Sequence, residues 1–335
     1  MQVSVAMATY NGERYLREQL ASLARQTTAP AELVVSDDGS SDDTCGIIED
    51  FRRHSPFPVR ILSGPRLGYV GNFFRAVKAC RGDAIALCDQ DDIWRPEKIA
   101  VCVSHFDKNV TLVLHSAQVI DASGNLLNKR APAIGKTREI PQGVFDDGPL
   151  RSFPLGFSLI IRRSVTEATL KVLSSYPEVL RHYFGHEMPF YWMAKARGNS
   201  VYLSNDLVFY RRHGANASAG QALKNKKIAK GLYNGAAAYR EFGRHAEYQA
   251  ELLVLLTGTD PDTDRTLHMW AHARRRLSQN LFRRAEIYEQ TGVWAKGLLL
   301  TELLKARGYQ SRKQGGLGWT SLIKDLTHIV PGRAL

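Results

Sequence analysis

Four short apolar runs in the first ninety residues, each closed by a polar turn and followed by helical spacing, restrict the folds open to this chain. Val3–Ala8 reads as a strand, broken by Thr9-Tyr10-Asn11-Gly12. Glu13–Gln26 then sets Tyr15, Leu16, Leu20 and Leu23 at helical intervals. Ala31–Ser36 is a second strand, closed by Asp37-Asp38-Gly39-Ser40-Ser41-Asp42-Asp43-Thr44, a tight turn ahead of a helix over Cys45–Arg53. Val59–Ser63 is a third strand, and the glycine-rich stretch Gly64–Asn72 is read as a loop feeding a helix over Phe73–Cys80. Ala84–Cys88, apolar throughout, is a fourth. Strand alternating with helix predicts an α/β fold, a doubly wound, mostly parallel sheet. The loops that close the strands then share one edge, the edge at which open α/β sheets bind ligands.

At that edge the fourth strand runs into Asp89-Gln90-Asp91-Asp92, then Ile93-Trp94 and a helix start at Pro96. Three carboxylates within four residues repel one another unless a cation or donors offset them. Mg²⁺ is commonly held by one or two carboxylates plus substrate phosphates. The rival reading is an acidic, solvated turn capping the next helix; the buried strand before it and Trp94 after it favour a site. An Asx turn and N-cap is likewise the rival reading for Asp37 and Asp38. No GxGxxG follows the first strand and no GxxxxGK[ST] occurs, so neither glycine cradle for phosphate is present.

The ordered set Thr-Tyr-Asn-Gly at 9–12, Asp-Asp-Gly-Ser at 37–40 and Asp-Gln-Asp-Asp-Ile-Trp at 89–94 resembles a family 2 glycosyltransferase with the GT-A fold. The resemblance covers residues 2–110 and resumes at 153–163, 183–194 and 208–218. It implies inverting transfer of a sugar from a nucleotide donor, with a nucleotide-binding half and an acceptor half. Thr9 and Tyr10 would line the nucleoside pocket, Asp37 would accept from the pyrimidine imide, and Asp38 would support that turn. Asn11, Asn72 and Gln90 would belong to the donor-binding set. Asp89 would meet the ribose or sugar, and Asp91 would coordinate Mg²⁺ or Mn²⁺ at the diphosphate, where a cation stabilises the leaving charge.

Further along, Val110–Ile120 reads as a strand, Asp121–Asn125 as a hairpin turn, and 128–150 as a mobile loop near the acceptor. Phe153–Arg163 reads as a buried strand; by the resemblance, Gly156 at its start lies next to the donor sugar. Inverting displacement needs a carboxylate to take the acceptor proton. Glu187, in His-Glu-Met-Pro-Phe-Tyr-Trp, is the residue the resemblance selects, although related sequences often have Asp there and Glu adds a methylene. A first-turn acid favoured by the helix dipole is the alternative, and His186 reads as its hydrogen-bonding neighbour. Val201–Leu203 and Leu207–Tyr210 read as two short strands. Tyr210–Ser218 (YRRHGANAS) is similar to the YRxHxxN segment of rhamnosyltransferase-like members, which would put Arg212 on phosphate and make His213 a metal ligand. The QxxRW motif of processive members is absent, which implies one sugar added per encounter.

Charge divides the chain. Residues 220–335 carry +9 of the formal +12. From residue 222 onward the spacing turns helical, over 223–258, 264–291 and Val293–Arg307. A GT-A domain over 1–220 and a basic helical appendage over 221–335 are therefore expected. Lys224, Lys226, Lys227, Lys230, Arg274–Arg276, Arg283 and Arg284 suggest docking on an anionic membrane surface, with homo-oligomer packing as the rival. No nucleic-acid-binding signature is present. No signal peptide or spanning run is visible, and four cysteines lie scattered without zinc or CxxC spacing, so the expected location is cytoplasmic, with peripheral attachment to the inner face of the membrane. The donor expected from the resemblance is dTDP-L-rhamnose and the acceptor a surface polysaccharide, such as lipopolysaccharide, or a lipid-linked saccharide. The alternatives are a UDP-hexose or UDP-N-acetylhexosamine donor, since uracil and thymine share the imide, or a non-catalytic nucleotide-sugar-binding scaffold.

Overall fold

The computed structural model describes residues 1–145, 154–173, 175–214, 235–311 and 314–329. The chain divides into two compact units, Met1–Val144 with Gly148–Asn216, and Phe145–Asp147 with Ala217–Leu335.

The first unit is built on a mixed sheet. Strands β1 (Val3–Thr9), β2 (Glu32–Asp37), β3 (Val59–Ser63) and β4 (Ala84–Cys88) alternate with helices α1 (Glu13–Ala24), α2 (Thr44–His54) and α3 (Gly68–Ala79). After β4 come β5 (Ile93–Trp94), α4 (Lys98–Val103), β6 (Val110–Ile120), β7 (Leu126–Arg130) and β8 (Arg138–Ile140). A single 3₁₀ turn at Gly156–Ser158 leads into β9 (Leu159–Arg162), α5 (Arg163–Val172), α6 (Glu178–Phe184), α7 (Glu187–Arg197) and β10 (Asn199–Arg211). The sheet order is β3-β2-β1-β4-β9-β6-β10-β5, with β7 added to β6 and β8 to β10. β1 lies parallel between β2 and β4, and Thr9 is in register with Asp37. That register sets the polar ends of β1 and β2 side by side. β1, β2 and β4 are buried almost throughout, which accounts for their near-continuous apolar runs. α1 turns Leu16, Leu20 and Leu23 into the same core, one turn apart.

Several elements differ from the sequence reading. α3 starts at Gly68, so the second half of the expected glycine-rich loop is helix. Asp38 explains this, because its carboxylate accepts from the N–H groups of Leu67 and Gly68 at 2.7 and 2.9 Å and satisfies the helix start. β9 enters antiparallel between β4 and β6. The two strands expected at 201–210 are one strand, β10, whose pairing with β6 shifts register around Leu203–Asp206. The expected loop at 128–150 contains the end of β7 and all of β8, and residues 146–150 lie outside the described residues.

The second unit is helical: α8 (Ala236–Leu255), α9 (Pro261–Glu289), α10 (Val293–Lys305) and α11 (Trp319–Ile329). Asp260 caps α9, its side chain accepting from the Thr263 N–H at 3.0 Å. α11 was not anticipated, although Trp319, Ile323 and Leu326 carry a helical period. The lysine cluster at 224–230 lies outside the described residues. Of the arginines expected to face an anionic surface, two are internal. Arg284 is buried against Asp325 at 2.8 Å, and Arg274 is buried over the ring of Phe145 at 4.1 Å. A guanidinium is weakly hydrated and stacks on aromatic faces, so these side chains serve the core. All four cysteines are free, and no helix among the described residues is long and apolar enough to cross a membrane.

Candidate active site

The loops after β1 and β2 are joined by side-chain hydrogen bonds. Thr9 donates its hydroxyl to Asp37 Oδ2 at 2.8 Å. Asp37 also accepts from the Ser40 hydroxyl at 2.6 Å, from the N–H groups of Gly39 and Ser40, and from the Cys45 thiol at 3.6 Å. Burial works to raise its pKa, but these donors outweigh it and hold the carboxyl below the usual carboxylate range. Asn11 adopts a positive φ of 47°, donates its N–H to the Ser40 hydroxyl and accepts from the Ser41 N–H, both at 2.9 Å. Asn72 donates to the Thr9 carbonyl at 3.1 Å, and its own amide oxygen is buried without a partner among the described residues. The loop after β4 joins the same assembly through Gln90, whose amide pairs with both backbone groups of Tyr10 at 3.0 and 3.1 Å. The Tyr10 side chain stays exposed, with the Arg66 guanidinium 5.5 Å from its ring centroid.

In the Asp89–Asp92 turn the three acids have different surroundings. His213 Nε2 lies 2.7 Å from Asp91 Oδ2. Arg211, buried at the end of β10, donates its backbone N–H to Asp92 Oδ1 at 2.9 Å and its Nε to the Asp91 carbonyl at 3.0 Å, while its guanidinium also meets Glu18. Asp92 is fully buried with its other oxygen unpartnered among the described residues, and burial, then the charges of Asp91 and Asp89, push its carboxyl well up. Asp89 accepts no hydrogen bond on its carboxylate among the described residues; burial and the neighbouring Asp91 charge push it up to about 7. Lys98 is buried beneath this turn, donating to the Phe157 carbonyl at 2.7 Å and lying 3.3 Å from the Trp94 ring centroid. Burial pulls it down to about 8.

Glu187 opens α7. Burial, with a contribution from the Asp89 charge, pushes it up to about 8. That electrostatic contribution links the start of α7 to the acidic turn after β4. Glu187 Oε2 is 3.4 Å from Nδ1 of His186. Burial pulls His186 down to about 3, so the ring is neutral. It lies flat on Phe73, centroids 3.6 Å apart and planes 5° from parallel. A Cβ on Gly156 would meet His186 Nε2 at 2.5 Å, so a side chain there would displace the ring. Gly185 supplies the positive φ of 64° at the turn into α7.

Thr9, Asn11, Asp37, Asn72, Asp89, Gln90, Asp91 and His213 thus gather at the strand-end loops as the sequence order suggests. Gly156 and Glu187 meet through His186. Arg212 is exposed, with its guanidinium 5.9 Å from the Tyr210 ring; the buried, acid-facing cation is the preceding residue, Arg211. Asp92, Lys98, Arg211 and the Phe73–His186 stack were not identified from sequence. No group of three or more His, Cys, Asp or Glu among the described residues is placed to hold a metal. Asp91 and His213 offer one oxygen and one nitrogen ligand, and the raised Asp89 marks an excess of negative charge. This set fits a hard cation that takes its remaining ligands from substrate phosphate.

A family model described as Glycosyl transferase family 2 matches residues 4–170. The chain belongs to this family. An uncharacterized glycosyltransferase of Nostoc is 27% identical over 228 residues, 64% of this chain and 66% of that protein. The dTDP-rhamnosyl transferase RfbG of Shigella flexneri is 42% identical over 98 residues, 28% of this chain and 34% of that protein. The alignments therefore span less than two thirds of the length of either relative. The crystal structure of S. aureus TarS 1-349 in complex with UDP-GlcNAc superposes with a TM-score of 0.53 at 18% identity, covering 98% of this chain and 90% of that one. The fold is of the GT-A type expected for the family.

Proposed function

We propose that this family 2 protein is an inverting, metal-dependent glycosyltransferase. It moves one sugar from a nucleotide diphosphate donor to a saccharide or lipid-linked saccharide in surface polysaccharide assembly, with dTDP-L-rhamnose as donor. The observation that carries the reading is the contact of Asp91 with His213 beside Asp89, within electrostatic reach of a partly buried Glu187. The identity to RfbG over 98 residues supports the rhamnose donor.

In this reading the exposed Tyr10 ring flanks the base. The imide N–H takes the place of the long Cys45 thiol contact on Asp37, whose other hydrogen bonds stay in the turn. Asp91 and His213 would hold Mg²⁺ or Mn²⁺, which when bound neutralises charge developing on the leaving diphosphate. Glu187 accepts the proton of the acceptor hydroxyl as its oxygen bonds to the anomeric carbon. The bond from that carbon to the diphosphate breaks on the opposite face. A carboxyl raised toward neutrality suits a base at physiological pH. Gln90 and Asn72 hold the Tyr10 and Thr9 backbone against which the donor lies.

A thermal-shift and hydrolysis panel of nucleotide sugars with Mn²⁺ tests this. Stabilisation and turnover with dTDP-L-rhamnose above UDP-glucose and UDP-N-acetylglucosamine support the full reading. Preference for a UDP sugar replaces the donor, and binding without turnover leaves a scaffold. Absence of any response to nucleoside diphosphates overturns the enzyme reading.

A further inference from the structure

The helical unit carries a large apolar surface that its own packing does not use. α10 and α11 dock on one cluster through Leu300, Leu303 and Ile329, with Leu299 and Leu322 partly buried against it. Lys296 Nζ is 3.3 Å from His328 Nε2, which sets the start of α10 beside the end of α11. On the side of each helix away from that cluster, large side chains face water. Trp294 is 90% exposed and Leu298, one turn on, 69%. On α11 Trp319 is 72%, Ile323 58% and Leu326 46% exposed, again at helical spacing.

Two outward apolar stripes on adjacent helices, each begun by a tryptophan, exceed the scattered exposure normal for a soluble surface. Charge selects the occupant. Among the described residues from 293 to 329, Lys296, Lys305, Arg307 and Lys324 accompany the stripes, against Glu302 as the one exposed acid; Asp325 is buried on Arg284. Two copies of this cationic surface would repel each other, whereas an anionic surface attracts it. Tryptophan favours the boundary between headgroups and acyl chains, and an amphipathic helix with such a face lies in that plane. Neither helix is long and apolar enough to span a bilayer. We infer that α10 and α11 seat this unit on an anionic lipid bilayer, with Trp294, Leu298, Trp319, Ile323 and Leu326 entering the headgroup boundary. Such seating requires nothing of the sugar chemistry proposed above.

The test uses the full chain with phosphatidylcholine vesicles, with and without phosphatidylglycerol, and with brominated lipid as a quencher. Trp94, Trp192 and Trp270 are buried, so among the five tryptophans quenching reports on Trp294 and Trp319. The expected result is salt-sensitive co-sedimentation with the anionic vesicles and quenching of the exposed tryptophans. Trp294→Ser with Leu298→Ser, or Trp319→Ser with Ile323→Ser, should weaken binding roughly tenfold or more. Both pairs lie on the surface, so thermal unfolding should be unchanged. Three outcomes overturn the inference: no binding to anionic vesicles, equal binding to both vesicle types, or equal binding by the variants. A dimer that the same substitutions split, without vesicle binding, would assign the surface to a second copy instead.

Discussion

His213 Nε2 and Asp91 Oδ2 are 2.7 Å apart although 122 positions separate them in the chain. β10 makes the contact possible, because Arg211 at its end is fastened to the Asp91 carbonyl and to Asp92, and His213 follows two residues later. If the two side chains share a cation, Asp91→Asn should abolish stimulation by Mn²⁺ and lower turnover by at least roughly a hundredfold. His213→Ala should weaken Mn²⁺ binding in the presence of nucleoside diphosphate by roughly tenfold or more while leaving nucleoside contacts intact. Calorimetric titration of Mn²⁺ with and without dTDP checks both. Unchanged metal dependence in the two variants would remove Asp91 and His213 from the metal site.

Glu187 makes a prediction about pH. Its carboxyl is pushed up to about 8, first by burial and then by the Asp89 charge. As a base it acts when deprotonated, so kcat/KM should rise with pH through roughly that value. The stability sign is the opposite. Between the ordinary carboxyl value of 4.5 and about 8 the folded state holds a proton that the unfolded state has lost, so this group makes the fold less stable as pH rises through that window. Glu187→Gln should therefore abolish the pH-dependent limb of turnover, slow transfer by roughly 10²–10⁴-fold, and raise the melting temperature most at alkaline pH. Parallel pH–rate and pH–melting profiles of the two proteins check it. A variant that loses activity but melts below the native protein at alkaline pH would contradict the buried-acid account.

The elements legible in the sequence are those whose pattern is local. β1, β2 and β4 carry their burial in near-continuous apolar runs, and the turns at 9–12, 37–44 and 89–92 carry their polarity in adjacent residues. The residues that escaped notice acquire their roles from distant partners. Lys98 reads as an ordinary first-turn lysine until Phe157 and Trp94 close over it. Arg211 and Arg212 are indistinguishable in a dipeptide, and only the distant Asp92 carboxylate and Asp91 carbonyl hold Arg211 inside at the end of β10, while Arg212, just past the strand, is exposed. Two arginines of the basic last third escape a local reading for the same reason. Net charge counts Arg274 and Arg284 as surface cations, whereas packing buries them.

The buried pair Arg284–Asp325 ties α9 to α11. Asp325 is wholly buried and also accepts from the hydroxyls of Tyr309 at 2.6 Å and Tyr288 at 3.1 Å. Removing one partner leaves a buried charge uncompensated, so Asp325→Ala should cost about 3–5 kcal/mol. Replacing both, as Arg284→Met with Asp325→Leu, should recover much of that loss, because the cost lies in the unpaired charge. Urea denaturation followed by helical circular dichroism measures it. If the double variant is no more stable than Asp325→Ala, the tyrosine hydrogen bonds rather than the ion pair hold the two helices.

Gly156 tests whether the geometry around Glu187 matters beyond the acid itself. A methyl at this position would stand 2.5 Å from His186 Nε2, and the ring can retreat only by disturbing its stack on Phe73, 3.6 Å away between centroids. Gly156→Ala should therefore move His186, and Glu187 beside it, at a folding cost of about 1–3 kcal/mol. The kinetic effect should fall on kcat, by roughly tenfold or more, because a displaced base loses alignment while the nucleoside contacts on the β1 and β2 loops are untouched. Adding His186→Ala to Gly156→Ala removes the atom the methyl strikes, so stability should return relative to the single variant, a coupling that independent sites would not show. Turnover should not return with it if the imidazole itself orients the Glu187 carboxylate, 3.4 Å away. Steady-state kinetics and melting curves on the two singles and the double separate the outcomes. Recovery of both rate and stability would make His186 packing alone, and recovery of stability alone would make it a positioning residue for the base.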